Sequence, residues 1–382
     1  MRNKNIFLVQ ILTSFAIWIF LVFILYNIGL LQNCTPVQLG IISFCFSGAM
    51  ALVNGLGSAF IKYRSAKSCI LIGLLISILI IISFYNIATP IIQYVLIFLI
   101  SSCYSLISIG KDKIVENGEQ KFDKINERIF RIIRFLGPIV GGILVYFFTY
   151  KEVLLIISVL YILSLLFMIS IKLEGEVFKE RLENKFIKTN KYEKNPRLIK
   201  SFFVLSFIVT LFIQVIDAQL VTLFKYSNLM LPTYIGVCIG CSGIGVFIIA
   251  EFFESKLVKE KLLYISCFCL GVLLFLAGSY MEYFGEIKIF LIILIFSIGG
   301  LCWQVVMGTF ENIIKSYKNK DLMMRIFTIV GILTLISYST GALISGFLVN
   351  ILRIYLVYII AGVVLLVSAV VITCFNMKYK ED

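Results

Sequence analysis

The sequence predicts an all-α polytopic membrane protein: twelve transmembrane helices in two six-helix halves. Three observations carry that prediction. Of 382 residues, 60% are hydrophobic and only 14% are charged, against roughly 25% charge in soluble domains. Mean hydropathy is +1.03. The apolar residues come in uninterrupted runs, and about 20 such residues are what a bilayer core asks of a helix. Finally, the stretch Lys172 to Lys200 holds nine Lys or Arg and five Glu. A segment so charged does not lie in hydrocarbon, so it is read as a water-exposed linker. The expected division is residues 1–171, the linker 172–200, and residues 201–382.

The first run, Ile6 to Leu30, is too long for a signal-peptide core and no small-residue cleavage site follows it. Thr35-Pro36 opens the second span, Thr89-Pro90 the fourth, and Pro232 the eighth. Thr caps helices well and Pro is favoured at the first helical position. Pro196 falls in the linker, and Pro138 alone lies deep in a span. A basic turn with Lys62, Arg64 and Lys67 joins spans two and three. A charged loop, Lys111 to Glu127, is expected between spans four and five. Six further runs follow the linker: Ser201–Val221, Tyr234–Phe253, Leu262–Met281, Ile289–Gly308, Ile326–Val349 and Tyr355–Phe375.

Lys and Arg positions give the orientation. With the N-terminus inside, only Lys151, Lys225, Lys288 and Arg353 face out, and the other 30 of 34 basic residues share the inner side. Both termini are therefore expected in the cytoplasm, with the chain multi-pass in the plasma membrane. The net charge of +13 then reports topology and contact with membrane lipid, not nucleic-acid binding. There is no His, so no His-based metal site, triad or proton relay exists. Cys238 and Cys241 read as small helix-contact residues rather than a redox pair. No metal or cofactor is expected, and the chain is read as a monomer. A GxxxxGK[ST] phosphate loop is absent from the sequence, so ATP is not the direct energy source.

The halves share a plan. Each has a basic turn after its second span and a longer charged loop after its fourth. Each fifth span opens with the same tripeptide, Arg128-Ile129-Phe130 and Arg325-Ile326-Phe327, as in a duplicated unit. The sharpest motif is Gly137-Pro138-Ile139-Val140-Gly141-Gly142 in the fifth span. Its Pro removes a helix hydrogen bond, and its glycines let another helix come close.

Two six-span halves, a charged central loop and GPxxGG in the fifth span resemble the major facilitator superfamily, in particular its drug-exporting branch. The stretch Arg325 to Val349 is similar to the macrolide-efflux and siderophore-exporter group. In that branch GPxxGG is the antiporter motif, which implies export. The resemblance also implies an inner-loop motif, carried here by Gly57, Lys62, Arg64 and Lys67. This version lacks the Asp and the second Gly of the usual pattern. The implied fold is the major facilitator fold, and the implied action is alternating access around a midplane site.

Asp217 is the one acid placed deep in a span, and it shares a helical face with Thr210 and Gln214. Two readings stand: a proton carrier facing a cavity, or an acid near the outer mouth that pairs with Lys225. Arg131 is expected to snorkel; the deeper Arg134 either snorkels too or meets an anionic group. Trp18, Asn54, Gln214 and Gln304 complete the candidates for a cavity lining, against the plainer reading of helix contacts. The leading functional expectation is a secondary exporter of a small amphipathic or lipophilic compound, coupled to proton antiport. Uptake, lipid or peptide flipping, and a non-transporting immunity or sensor protein are the alternatives. A polytopic membrane enzyme would cluster acids, His or metal ligands at one face, and this chain does not, so no enzymatic activity is expected.

Overall fold

The computed structural model describes residues 2–54, 66–86, 89–116, 120–171, 196–252, 260–315 and 320–378. Gly57, Lys62, Arg64 and most of the central linker fall outside these. Every described element is helical. In chain order the helices are Arg2–Ile24 (α1), Pro36–Ser43 (α2), Ala66–Phe84 (α3), Pro90–Glu116 (α4), Gln120–Phe147 (α5) and Tyr150–Ser170 (α6). Then come Pro196–Ala218 (α7), Leu220–Tyr226 (α8), Pro232–Phe252 (α9), Glu260–Phe284 (α10), Ile289–Lys315 (α11), Lys320–Ile351 (α12) and Ile354–Lys378 (α13). Wider π-helical turns extend α1 over Leu25–Leu31 and α2 over Phe44–Gly48.

Ten helices among the described residues are long and apolar enough to cross a membrane. The pair α7 and α8, which meets at 48°, makes an eleventh if it is one broken span, and Pro232–Ile248 is a shorter apolar helix. The all-α, multi-span reading of the sequence therefore holds.

The caps are the ones the sequence offers. Thr35 N–H donates to Gln38 Oε1 at 2.8 Å, and Gln38 N–H donates back to Thr35 Oγ1 at 3.3 Å. This reciprocal pair starts α2. Thr149 N–H and Oγ1 both donate to Glu152 Oε2, at 2.8 and 2.9 Å, and start α6. Four prolines stand at the first residue of α2, α4, α7 and α9. Pro196 is thus a helix start, inside the stretch read from sequence as linker. A second correction concerns Lys111 to Glu127. Helix α4 runs on to Glu116 and α5 begins at Gln120, so most of this expected loop is helix. Its charges are tolerated because α4 turns Asp112 outward while keeping Ile107 and Ile114 buried.

The chain divides into two compact units. Unit 1 comprises residues 1–34, 41–182 and 231–240; unit 2 comprises 35–40, 183–230 and 241–382. In unit 1, α1 packs on α5 and α6, and α3 packs on α4 and α6. In unit 2, α7 packs on α12 and α13, and α10 packs on α11 and α13. The packing plan is the same, helix for helix. The repeated Arg-Ile-Phe lies in α5 and in α12, which hold equivalent places. That is the internal symmetry expected of a duplicated membrane unit.

Side chains are sorted for a lipid solvent. Ile91, Phe147, Tyr283 and Ile351 are more than two-thirds exposed, while many of the buried groups are Ser and Thr. Those hydroxyls mostly donate within their own helix: Ser77 to Gly73 O, Ser158 to Leu154 O, Ser164 to Leu160 O, Thr210 to Ser206 O and Ser337 to Leu333 O. Each bond satisfies a donor that hydrocarbon cannot.

Candidate functional site

The polar heart of unit 1 lies where α1, α4 and α5 meet. Lys111 sits on the buried face of α4, in register with Tyr104 and Ile107, and is 1% exposed. A lysine near a helix end ordinarily snorkels to the interface; this one is turned into the bundle. Its ammonium donates to Thr13 Oγ1 of α1 at 3.1 Å. It also stands 5.7 Å from the centre of the Tyr104 ring, within cation–π reach. The acceptor is itself anchored, since Thr13 Oγ1 donates to Val9 O at 2.7 Å. One turn along, Tyr104 Oη and Ser14 Oγ share a bond of 3.4 Å. Gln10 is 3% exposed and its Oε1 has no partner among the described residues.

Arg134, on α5, is half-buried. Neither Lys111 nor Arg134 has a carboxylate within ion-pair distance among the described residues. Asp112, the next residue along α4, is exposed. The neighbouring Arg131 instead pairs with Glu127 at 3.1 Å, one turn back on α5. So the structure separates the two arginines: Arg131 has a partner on the helix surface, whereas Arg134 is half-buried on α5.

Trp18, one turn beyond Ser14, lies against Gly137: a Cβ built there would meet Trp18 Cβ at 2.9 Å. Its indole Nε1 is buried with no partner among the described residues. The rest of the motif is a close-approach surface. Helix α5 continues without interruption through Pro138. A Cβ on Gly141 would meet Ile19 Cα at 3.0 Å, and one on Gly142 would meet Pro232 O at 3.0 Å and Thr233 Cα at 3.1 Å. From the other side, a Cβ on Gly236 would meet Pro138 O at 2.3 Å. These contacts are backbone to backbone, so glycine is required on both helices.

The remaining candidates are dispersed. Asn54 is exposed at the end of the described part of the second span. Lys67 is half-buried, and its ammonium donates to Ile169 O at 3.2 Å and to Ile171 O. A cation there caps the C-terminus of α6 and complements its dipole. In unit 2, Gln214 is 5% exposed and lies against Gly341, whose added Cβ would come 3.1 Å from Gln214 Cβ. Asp217 is exposed in the last turn of α7. Gln304 is half-buried beside Trp303, whose ring meets Tyr338 edge-on at 5.5 Å. A shallow groove between α7 and α12 is lined by Phe203, Ser206, Phe207, Thr210, Thr334 and Ser337, with Leu333.

Two functional-looking residues escaped the sequence reading. Lys111 reads by composition as part of a charged loop, although the i, i+3, i+7 spacing of Tyr104, Ile107 and Lys111 places it on the buried face. Gln219, 1% exposed at the break between α7 and α8, donates to Pro36 O and Ser345 Oγ, both at 3.0 Å, and accepts from Thr222 Oγ1 at 2.8 Å. No periodicity marks such a residue, because its role depends on a helix break.

Solved structures share this architecture. One is a POT family transporter in complex with 5-aminolevulinic acid: TM-score 0.75, 15% identity, covering 98% of this chain and 96% of that one. Another is the nucleoside transporter NupG: TM-score 0.71, 14% identity, 97% and 98% covered. A third is the human organic anion transporter MFSD10 (TETRAN): TM-score 0.63, 12% identity, 97% and 98% covered. At these identities the likeness is one of fold. No curated protein matches the chain. The family model of the Major Facilitator Superfamily matches residues 129–322, just over half of the chain. With the repeated helix packing, this match settles the family: the chain belongs to the Major Facilitator Superfamily.

Proposed function

We propose that this secondary transporter exports a small amphipathic or lipophilic compound by alternating access, in exchange for protons. The observation that carries export is the fifth-span glycine surface. Gly142 and Gly236 face each other with no room for a side chain, and Gly137-Pro138-Ile139-Val140-Gly141-Gly142 is the pattern associated with exporters. The proposed topology has twelve spans, counting the α7–α8 pair and α9 as one each. Both termini face the cytoplasm, and the membrane is the plasma membrane. Asp217 is the proposed proton carrier. Its exposed place at the end of α7 is open to proton exchange, and protonation there changes the relative stability of the transport states.

The test is uptake into inverted vesicles under an imposed pH gradient, across a panel of lipophilic and amphipathic compounds. Wild type is expected to accumulate at least one of them uphill. Asp217→Asn, which mimics the neutral acid, is expected to lose uphill accumulation while keeping downhill exchange. Asp217→Glu should keep part of the activity with a shifted pH profile. Full gradient-driven accumulation by Asp217→Asn removes Asp217 as the carrier. Accumulation that ignores the pH gradient in wild type removes proton antiport.

A further inference from the structure

The stretch Gly341-Ala342-Leu343-Ile344-Ser345-Gly346 of α12 stands, position for position, where Gly137-Pro138-Ile139-Val140-Gly141-Gly142 stands in α5. The contacts establish the match. A Cβ on Gly137 would meet Trp18 of α1, and one on Gly341 would meet Leu211 O and Gln214 of α7. A Cβ on Gly142 would meet Pro232 O at 3.0 Å, and one on Gly346 would meet Pro36 O at 2.8 Å and Val37 Cα at 2.7 Å. The partner glycines correspond too: Gly236 stands four residues after Pro232, and Gly40 four after Pro36. A Cβ on Gly236 would run into Pro138 O, and one on Gly40 would meet Ala342 O at 2.6 Å. The match is hidden in the sequence because the glycines of α12 come late. Gly137 lies nine residues after Arg128, and Gly341 sixteen after Arg325. The difference of seven is two helical turns, which keeps the same face.

The two crossings differ in their polar groups. Where α5 has Gly141, α12 has Ser345. Five residues beyond Trp18 stands Phe23, and five beyond Gln214 stands Gln219. Gln219 Nε2 donates to Pro36 O and to Ser345 Oγ, both at 3.0 Å, which uses both amide hydrogens. Its Oε1 accepts from Thr222 Oγ1 at 2.8 Å, and Ser345 Oγ donates to Ala342 O at 2.6 Å. Gln219 is 1% exposed and Ser345 is fully buried. Ser345 and Thr222 thus aim the amide, and only its bond to Pro36 reaches α2. The α5–α9 crossing has Phe23 and Gly141 at the corresponding places, so glycine packing holds such a contact without polar help. The Gln219 bond is an addition to it. It fastens the turn 35–40, which counts with unit 2, although α2 continues in unit 1 from residue 41.

We propose that Gln219 is a conformational latch: its bond to the Pro36 carbonyl holds the first turn of α2 on α12 and opens each time the transporter exposes this end to water. Ser345 is its positioning residue. The proposal rests on alternating access and on the twelve-span order, and on neither export nor proton coupling. The structure described here has the latch closed, so removing it raises the population of the open state. In the twelve-span order Pro36 and Pro232 begin even-numbered spans and lie at one end. The opening therefore uncovers both glycine crossings together.

The test is the rate at which a water-soluble maleimide modifies single cysteines in the purified full-length protein, in a cysteine-free background and phosphatidylcholine nanodiscs. Both faces are accessible there, so orientation does not enter. Leu39→Cys and Ile235→Cys report the two crossings; each precedes a crossing glycine, and they are 1% and 0% exposed. Ile354→Cys, 4% exposed at the start of α13, reports the fold. A buried thiol reacts only from opened states, so its rate tracks their population. Gln219→Ala should speed both crossing reporters at least about fivefold and leave Ile354→Cys within about twofold, as expected for a lost buried hydrogen bond that biases one equilibrium. Ser345→Ala should speed both crossing reporters by less. The two substitutions together should do no more than Gln219→Ala alone, because the serine acts through the amide. Unchanged rates at Leu39→Cys in both single variants overturn the proposal. Acceleration confined to Leu39→Cys overturns it as local fraying of α2, and equal acceleration at Ile354→Cys overturns it as general loosening. If Gln219→Ala does not yield folded protein, Ser345→Ala decides by the same three reporters. Failure of pH-driven accumulation in inverted vesicles, with the expected labelling pattern, would sink the proton-coupled exporter and keep the latch.

Discussion

Gly236→Ala is the smallest change that interrogates the glycine surface of α5. The added Cβ would stand 2.3 Å from Pro138 O and 3.0 Å from Gly142 Cα, where ordinary contact begins at 3.4 Å. All the nearest atoms are backbone, so no side chain can rotate aside, and the helices must part by about 1 Å locally. Overpacking of this kind costs about 1–3 kcal/mol, equivalent to roughly a 5- to 150-fold shift in any equilibrium that makes and breaks the contact. The expected result is an initial export rate at least about fivefold below wild type, with lower thermal stability in detergent. Gly142→Ala should be milder, because its nearest atoms lie at 3.0 and 3.1 Å. Gly331→Ala is the control: nothing lies within 4 Å of its Cβ, and alanine favours the helix by up to about 1 kcal/mol. Transport in inverted vesicles and melting followed by size exclusion read all three. A Gly236→Ala protein with wild-type rate and wild-type melting refutes the reasoning, as does a Gly331→Ala protein equally impaired.

Three further outcomes are expected. Gln219→Ala strands the Pro36 carbonyl and the Ser345 hydroxyl at a buried helix break, so it should lower stability by about 1–3 kcal/mol, measured as the melting temperature. An unchanged value would show that water replaces the side chain. Thr149→Ala removes the hydroxyl that donates to Glu152 at the start of α6 and should cost about 1 kcal/mol, while Thr149→Ser, which keeps that donor, should be near neutral in the same assay. Lys185→Cys in a cysteine-free background should react with a membrane-impermeant maleimide only after cells are opened; labelling in intact cells would reverse the proposed orientation.

The architecture was legible because a membrane simplifies the code. Apolar runs from Ile6 to Leu30 and from Pro90 onward say helix and span at once, and prolines at 36, 90 and 232 mark where helices begin. What the sequence hid were local departures from that code. Pro196 looks like linker because charged residues surround it, yet it starts α7. Lys111 belongs to a charged stretch in composition and to a buried helical face in periodicity, and the second property prevailed. The break at Gln219 interrupts a run that reads as continuous from Ser201 to Val221, because the cause is a set of tertiary hydrogen bonds and not a Pro or Gly. Of the candidate site residues, Trp18 lies along the α1–α5 seam of unit 1, whereas Asn54 and Asp217 sit in exposed places.

The serines and threonines that bond to their own helices have a mechanical consequence. A hydroxyl tied to the carbonyl one turn back has its donor satisfied before any neighbour arrives, as at Ser77, Ser158, Ser164, Thr210 and Ser337. The seams that carry them are therefore lubricated: one helix can slip past another without breaking a bond between them. Resistance to sliding is concentrated instead at the few rivets that do cross, such as Lys111 to Thr13 and Gln219 to Pro36 and Ser345. A machine built this way spends little of its driving force on friction along the helices, and its speed is set by how quickly those rivets open.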